Sequence, residues 1–177
     1  MKTIGYCGGG LLFRLGNEEE VESFFDCIRI LQTSNDNFDQ IVDRLYRKYI
    51  KFEDLDLARD AMRSIALLFK EANFEDVVSK ISVPSTTKLN FDRNNLFDIY
   101  SKFFSGFEDV IESSKYFYED YGKYQPISIV VVDIPAYDKY KRLPVSVFEK
   151  VQRSPIWLRE AKGEELPEFD ELLPRQQ

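Results

Sequence analysis

The chain has 177 residues, and its 24 lysines and arginines against 31 aspartates and glutamates give it a net charge of −7. It contains no histidine, which excludes Ser-His-Asp and Cys-His catalytic arrangements and histidine-ligated metal sites. Nucleic-acid binders usually carry the opposite charge, so we expect no direct binding of nucleic acid. The acidity fits a basic protein partner and plain solubility equally well.

Cysteine content and hydropathy limit the cellular setting. The two cysteines, Cys7 and Cys27, are too few for a disulfide framework or a zinc ribbon. The N-terminus lacks a signal-peptide core, and no apolar run reaches the roughly 18 residues of a membrane span. We therefore expect one cytoplasmic domain over residues 1–177 with no membrane contact, in which residues 160–177 form an acidic, partly ordered tail.

The first segment is rich in glycine. Residues 4–15 predict a short strand and a turn, with three consecutive glycines at Gly8, Gly9 and Gly10. No Walker lysine follows them and their spacing does not fit a dinucleotide fingerprint, so we expect no phosphate loop. Cys7 has no histidine partner and is predicted to be a small core residue. The glycines are expected to permit positive φ and close approach between this strand and the first helix.

Three helices are predicted next, from apolar residues that recur every three or four positions. The first spans 18–31, with acidic residues in its first turn, where they suit the helix dipole. The second spans about 38–50. The third spans about 53–71, and its buried stripe consists of Leu55, Ala58, Met62, Ile65 and Phe69.

The second half is predicted to contain two further helices and a strand. The helices cover about 95–104 and 107–121 and are joined near Ser105 and Gly106. The apolar run between Pro126 and Pro135 predicts a central, buried strand at about 127–134. A mixed segment follows at 145–157. The sequence thus predicts an α+β fold, mostly helical, with about five helices packed on a small sheet.

Pairs of carboxylates lie one helical turn apart, at Asp39 with Asp43 and at Glu108 or Asp109 with Glu112. Such pairs can hold a hard cation or perform acid–base chemistry, although a solvated helix face explains them more simply. A basic patch on the second helix contains Arg44, Arg47, Lys48 and Lys51; nearby acids favour internal ion pairs there. We expect no metal and no cofactor.

Tyrosines alternate with acids in KYFYEDYGKY, residues 115–124, and two more lie in PAYDKYKRLP, residues 135–144. Tyrosine offers a large contact area at low entropic cost, so these segments suit recognition of a basic protein. The alternative is that the rings complete the core with their hydroxyls at its rim. The predicted partner-binding residues are Tyr116, Tyr118, Glu119, Asp120, Tyr121, Tyr124, Glu108, Asp109, Glu112, Tyr137 and Tyr140.

One stretch resembles a known family. The segment DRLYRKYIKFEDLDLARDAMRSIALLF, Asp43 to Phe69, is similar to bacterial immunity proteins of contact-dependent growth inhibition and other polymorphic toxin systems. The resemblance implies a protein without catalytic residues that binds the C-terminal domain of one cognate toxin and blocks its active site or substrate surface. Because such toxins are often nucleases with basic surfaces, it also implies a basic partner. A small carboxylate-dependent, metal-assisted hydrolase and an adaptor protein without a toxin are the alternatives.

Overall fold

The computed structural model describes residues 2–31, 36–81, 95–122, 126–132 and 154–164, with the backbone alone at 36–39. Within these ranges the protein is mostly helical with one three-stranded antiparallel sheet, which confirms the predicted α+β fold. The elements in chain order are β1 (Ile4–Gly8), β2 (Leu11–Gly16), α1 (Glu18–Leu31), α2 (Asp36–Arg47), a 3₁₀ turn (Phe52–Asp54), α3 (Leu55–Glu71), α4 (Phe74–Val78), α5 (Leu96–Tyr121), β3 (Ser128–Val131) and α6 (Ile156–Ala161). No helix of this described part is long and apolar enough to cross a bilayer.

The glycine-rich segment is the turn of a β-hairpin. Gly9 and Gly10 connect β1 to β2 and have φ values of 56° and 80°. Two positive φ values in a two-residue loop match the right-handed twist of paired strands. A Cβ at Gly9 would lie 2.4 Å from the Ser113 backbone, and Ser113 Oγ donates to Gly9 O at 3.0 Å. Positive φ was predicted correctly, but the close approach is to α5 and not to the first helix.

The sheet has the order β2-β1-β3 among the described residues, so β1 is its central strand. All four residues of β3 are buried, as predicted, and Ile4 pairs with Val131 in the antiparallel register. Within the described part of the sheet, residues 128–131 form an edge strand where the sequence predicted a central one, because the hairpin adds its second strand on the far side of β1. Ile127 instead pairs with Ile50, which follows α2.

Helix α5 is continuous where the sequence predicted a break. It passes through Ser105 and Gly106, and its one non-helical residue is Tyr100, at φ −105° and ψ 15°. Gly106 is buried, and a Cβ there would lie 2.3 Å from the Phe13 ring of β2. The glycine thus provides room for an aromatic ring against the helix, and packing overrides its low helix propensity.

The core is aromatic and centres on Phe24 of α1. Its ring lies 4.4 Å from that of Phe103 and 5.6 Å from that of Phe69, centroid to centroid. The predicted bounds of α1 are confirmed, and the predicted stripe of α3 is buried in full. Asn17 and Glu20 form a reciprocal capping box at the start of α1, with both hydrogen bonds at 2.9 Å.

The C-terminal part is described through Glu164. Trp157 of α6 donates its indole N–H to the Tyr46 carbonyl at 2.8 Å, which attaches α6 to α2. The predicted mixed segment at 145–157 is described only from residue 154 onward. Residues 165–177 of the predicted acidic tail lie outside the described residues.

Candidate interaction surface

The last two turns of α5 carry exposed aromatic side chains. Tyr116 and Tyr121 are each 66% exposed and Tyr118 is 40% exposed. Phe117 and Tyr121 lie one turn apart with ring centroids 4.7 Å from each other, and the Tyr118 ring lies 4.2 Å from that of Phe52. These contacts hold the rings at the surface. The alternative that the tyrosines complete the core does not describe Tyr116 and Tyr121.

Carboxylates accompany these rings. Glu119 and Asp120 are exposed, and within the described ranges neither forms an ion pair. Asp120 accepts a hydrogen bond from the Tyr116 hydroxyl, and this bond raises the pKa of Tyr116. The end of α5 therefore presents phenol rings beside exposed carboxylates that form no ion pair among the described residues.

The acids predicted in the middle of α5 have a different environment. Glu108 accepts two hydrogen bonds from Arg63, at 2.6 and 3.2 Å, and lies 3.1 Å from Arg59 Nε. Glu112 also pairs with Arg59. Asp109 is exposed. Glu108 and Glu112 are thus already bound to arginines of α3, which distinguishes them from Glu119 and Asp120.

Ion pairs join the first half of α3 to the second half of α5, and we call this set the ladder. Lys115 Nζ lies 2.5 Å from Asp56 Oδ1, and the pair lowers the pKa of Asp56. The pairs Asp56–Lys115, Arg59–Glu112 and Arg63–Glu108 show that the two helices run antiparallel. Exposed pairs of this kind contribute little stability each, so their main effect is on helix register.

An apolar groove continues the same contact beyond the ladder. It has a volume of about 550 Å³, and its lining includes Met62, Ala66, Leu67, Phe97 and Phe104. Phe97 and Phe104 stack with their centroids 5.4 Å apart, and Lys70 Nζ lies 4.4 Å above the Phe97 ring. This groove was not predicted from the sequence. The available signal was Leu67, which lies off the buried stripe and is 57% exposed.

Two residues of the predicted basic patch, Arg44 and Arg47, form internal ion pairs as expected, whereas Lys48 and Lys51 follow the end of α2. Arg44 lies 2.7 Å from Asp54, and Arg47 lies 2.6 Å from Asp43. Lys48 and Lys51 line a polar cavity of about 350 Å³ beyond the last turn of the helix. The other predicted carboxylate of this helix, Asp39, has its side chain outside the described residues.

The cysteines lie in the core. Cys7 is 3% exposed on β1, and Cys27 is fully buried in α1. Burial raises the pKa of the Cys27 thiol to about 12, which disfavours the reactive thiolate. In the described part of the chain, no group of three or more Cys, Asp and Glu side chains could hold a metal ion.

Of the predicted binding residues, Tyr116, Tyr118, Glu119, Asp120 and Tyr121 lie together at the end of α5. Glu108, Asp109 and Glu112 lie further back on the same helix. Tyr124, Tyr137 and Tyr140 lie outside the described residues. Comparison of the chain with models of protein families, with curated proteins and with solved structures gives no match.

Proposed function

We propose that this chain is an immunity protein that binds the C-terminal domain of a cognate toxin and blocks its active site or substrate surface. The observation that carries the proposal is the end of α5, where Tyr116 and Tyr121 are exposed beside Glu119 and Asp120. We name these four positions, together with Tyr118, the tyrosine–acid surface. Exposed tyrosines are frequent anchors of protein interfaces.

The charge of this surface supports a basic partner. A nuclease has a basic substrate surface because it must hold phosphates. Carboxylates at Glu119 and Asp120 offer it the same sign of charge as a nucleic acid, and phenol rings offer faces of the kind on which basic and aromatic side chains stack. The net charge of −7 adds long-range attraction that accelerates encounter.

The alternative hydrolase would depend on a pair of available carboxylates. The predicted pairs on α5, Glu108 or Asp109 with Glu112, share Glu112, which is bound by Arg59; Glu108 is also bound, by Arg59 and Arg63. The exposed acids of α5, Glu119 and Asp120, therefore fit a binding function better than they fit a hydrolase.

The direct test is neutralisation of the toxin encoded next to this gene. Co-expression should restore growth of cells that produce the toxin domain, and the two purified proteins should elute as one complex from a sizing column. Continued killing together with separate elution would refute the proposal. Growth rescue by a Glu119→Lys, Asp120→Lys variant at full strength would refute the assignment of the tyrosine–acid surface.

A further inference from the structure

The exposed face of α3 carries a leucine and a set of charges. Leu67 is 57% exposed at the edge of the groove between α3 and α5. Asp60, about two turns before it, and Lys70, about one turn after it, are both exposed. Within the described residues neither Asp60 nor Lys70 forms an ion pair. Helical periodicity places all three on one outward stripe.

The charges on this stripe are placed so that two antiparallel copies of α3 can pair acid with base. When two α3 helices cross antiparallel with a two-fold axis near position 65, Asp60 of each copy lies opposite Lys70 of the other. This pairing joins opposite charges, and the two-fold symmetry repeats it.

The same register places an apolar side chain over the groove. Leu67 of one copy lies at the level of Arg63 of the other, between Met62 and Ala66, which line the groove; the Arg63 guanidinium is bound to Glu108. The small side chain of Ala66, with Ser101 and Ser105 on α5, leaves the groove open to a volume of about 550 Å³, more than one leucine side chain fills. The register set by the Asp60–Lys70 pairing thus also places Leu67 over the groove.

We propose that two copies of this chain associate through α3, with Leu67 of each copy seated in the groove of the other and Asp60–Lys70 ion pairs on both sides. This surface begins at Asp60, which lies near the level of Glu112 in the antiparallel contact, and extends along α3 away from the tyrosine–acid surface. The dimer would therefore leave the proposed toxin-binding end of α5 accessible, and the inference does not depend on the proposed function.

The test is the mass of the purified chain in solution, measured by light scattering across a concentration series. We expect the mass to approach about 42 kDa, twice the chain mass of 20.8 kDa, as the concentration rises. The Leu67→Glu variant should remain at 20.8 kDa, and the matched Leu57→Glu variant, at an exposed position outside the groove, should still dimerise. A wild-type mass of one chain at every concentration would overturn the proposal.

A charge exchange tests the register. Asp60→Lys and Lys70→Asp should each weaken the dimer, because each places like charges opposite one another twice. The variant carrying both changes should recover wild-type dimerisation, because the opposite charges again face each other. Dimerisation that ignores the single changes, or a double variant that stays as weak as the singles, would overturn the arrangement. A monomeric chain whose Leu67→Glu variant loses toxin binding would assign the groove to the toxin and overturn the proposal.

Discussion

Arg63 holds Glu108 by two hydrogen bonds, at 2.6 and 3.2 Å, and thereby separates the acids of α5 into two groups. Glu108 and Glu112 compensate arginines of α3 and fix the register of two helices. Glu119 and Asp120 lie at the end of the helix in solvent. The acidic residues in the middle of α5 thus bind α3, whereas those at its C-terminal end are available to a partner.

This division predicts different effects on association. Asp120→Asn should slow the association with a basic toxin domain, whereas Glu108→Gln should change the rate much less. The two positions are 12 residues apart, about 18 Å along the helix, which exceeds the Debye length of about 8 Å at physiological salt. Stopped-flow mixing at low and physiological salt measures both rates. Equal slowing by the two variants would place the contact nearer the middle of α5.

The aromatic core predicts a large effect at Phe69. The ring is fully buried and packs against Phe24 and Phe104. Phe69→Ala should therefore lower the free energy of unfolding by about 3–5 kcal/mol through the cavity it leaves. Leu57→Ala on the exposed side of the same helix should change it by less than about 0.5 kcal/mol. Urea unfolding measures both, and a near-neutral Phe69→Ala would mean that the buried face of α3 is wrongly assigned.

The hairpin turn predicts an order of two alanine substitutions. Gly9 and Gly10 both have positive φ, but only a Cβ at Gly9 would clash, at 2.4 Å from the Ser113 backbone, whereas at Gly10 the nearest atom is 3.8 Å away. Gly10→Ala should cost about 1–2 kcal/mol from backbone strain alone. Gly9→Ala should cost more, because β1 must also move away from α5. Chemical denaturation of the two variants provides the comparison, and equal costs would argue against close approach of the turn to the helix.

Burial of the Cys27 thiol predicts that the folded protein loses stability at high pH. The pKa of Cys27 rises from its ordinary 9.0 to about 12 on burial, so the thiol stays protonated in the folded chain while the unfolded chain ionises. Its contribution is complete below pH 9 and declines as pH rises toward 12. The limiting slope is about 1.4 kcal/mol per pH unit for one group.

Burial also raises the pKa of Tyr6 and Tyr100, which act in the same direction at higher pH. The Cys27→Ala variant isolates the contribution of the thiol: its unfolding free energy should fall less steeply above pH 9 than that of the wild type. Urea titrations at several alkaline pH values measure the slopes. Identical slopes would mean that Cys27 is accessible to solvent in the folded state.

Local sequence signals predicted the helices better than the sheet. The apolar stripe and capping residues of α1 lie within the helix itself, so its bounds could be predicted as Glu18–Leu31. The hairpin was missed although Gly9 and Gly10 between two apolar runs are a known turn signal. The apolar residues of β2 do not alternate with polar ones, so its sequence lacks the period of a half-exposed strand.

Long-range contacts explain the remaining differences. Gly106 predicted a break in α5, but the ring of Phe13, which is 93 residues earlier in the sequence, fills the space above it and the helix continues. The groove depends equally on which α5 residues lie opposite Ala66, which no local pattern encodes. By contrast, the tyrosine–acid surface could be predicted because one helix segment contains all of its members.

The most direct test of the account is the affinity of the toxin domain for a variant of the tyrosine–acid surface. Tyr116→Ala combined with Tyr121→Ala should raise the dissociation constant by about 30-fold or more, the effect of losing an interface anchor of about 2 kcal/mol. Leu57→Ala is the control for loss of an exposed apolar side chain and should bind as the wild type does. Wild-type affinity in the double tyrosine variant, with its fold intact by circular dichroism, would contradict toxin binding through the tyrosine–acid surface.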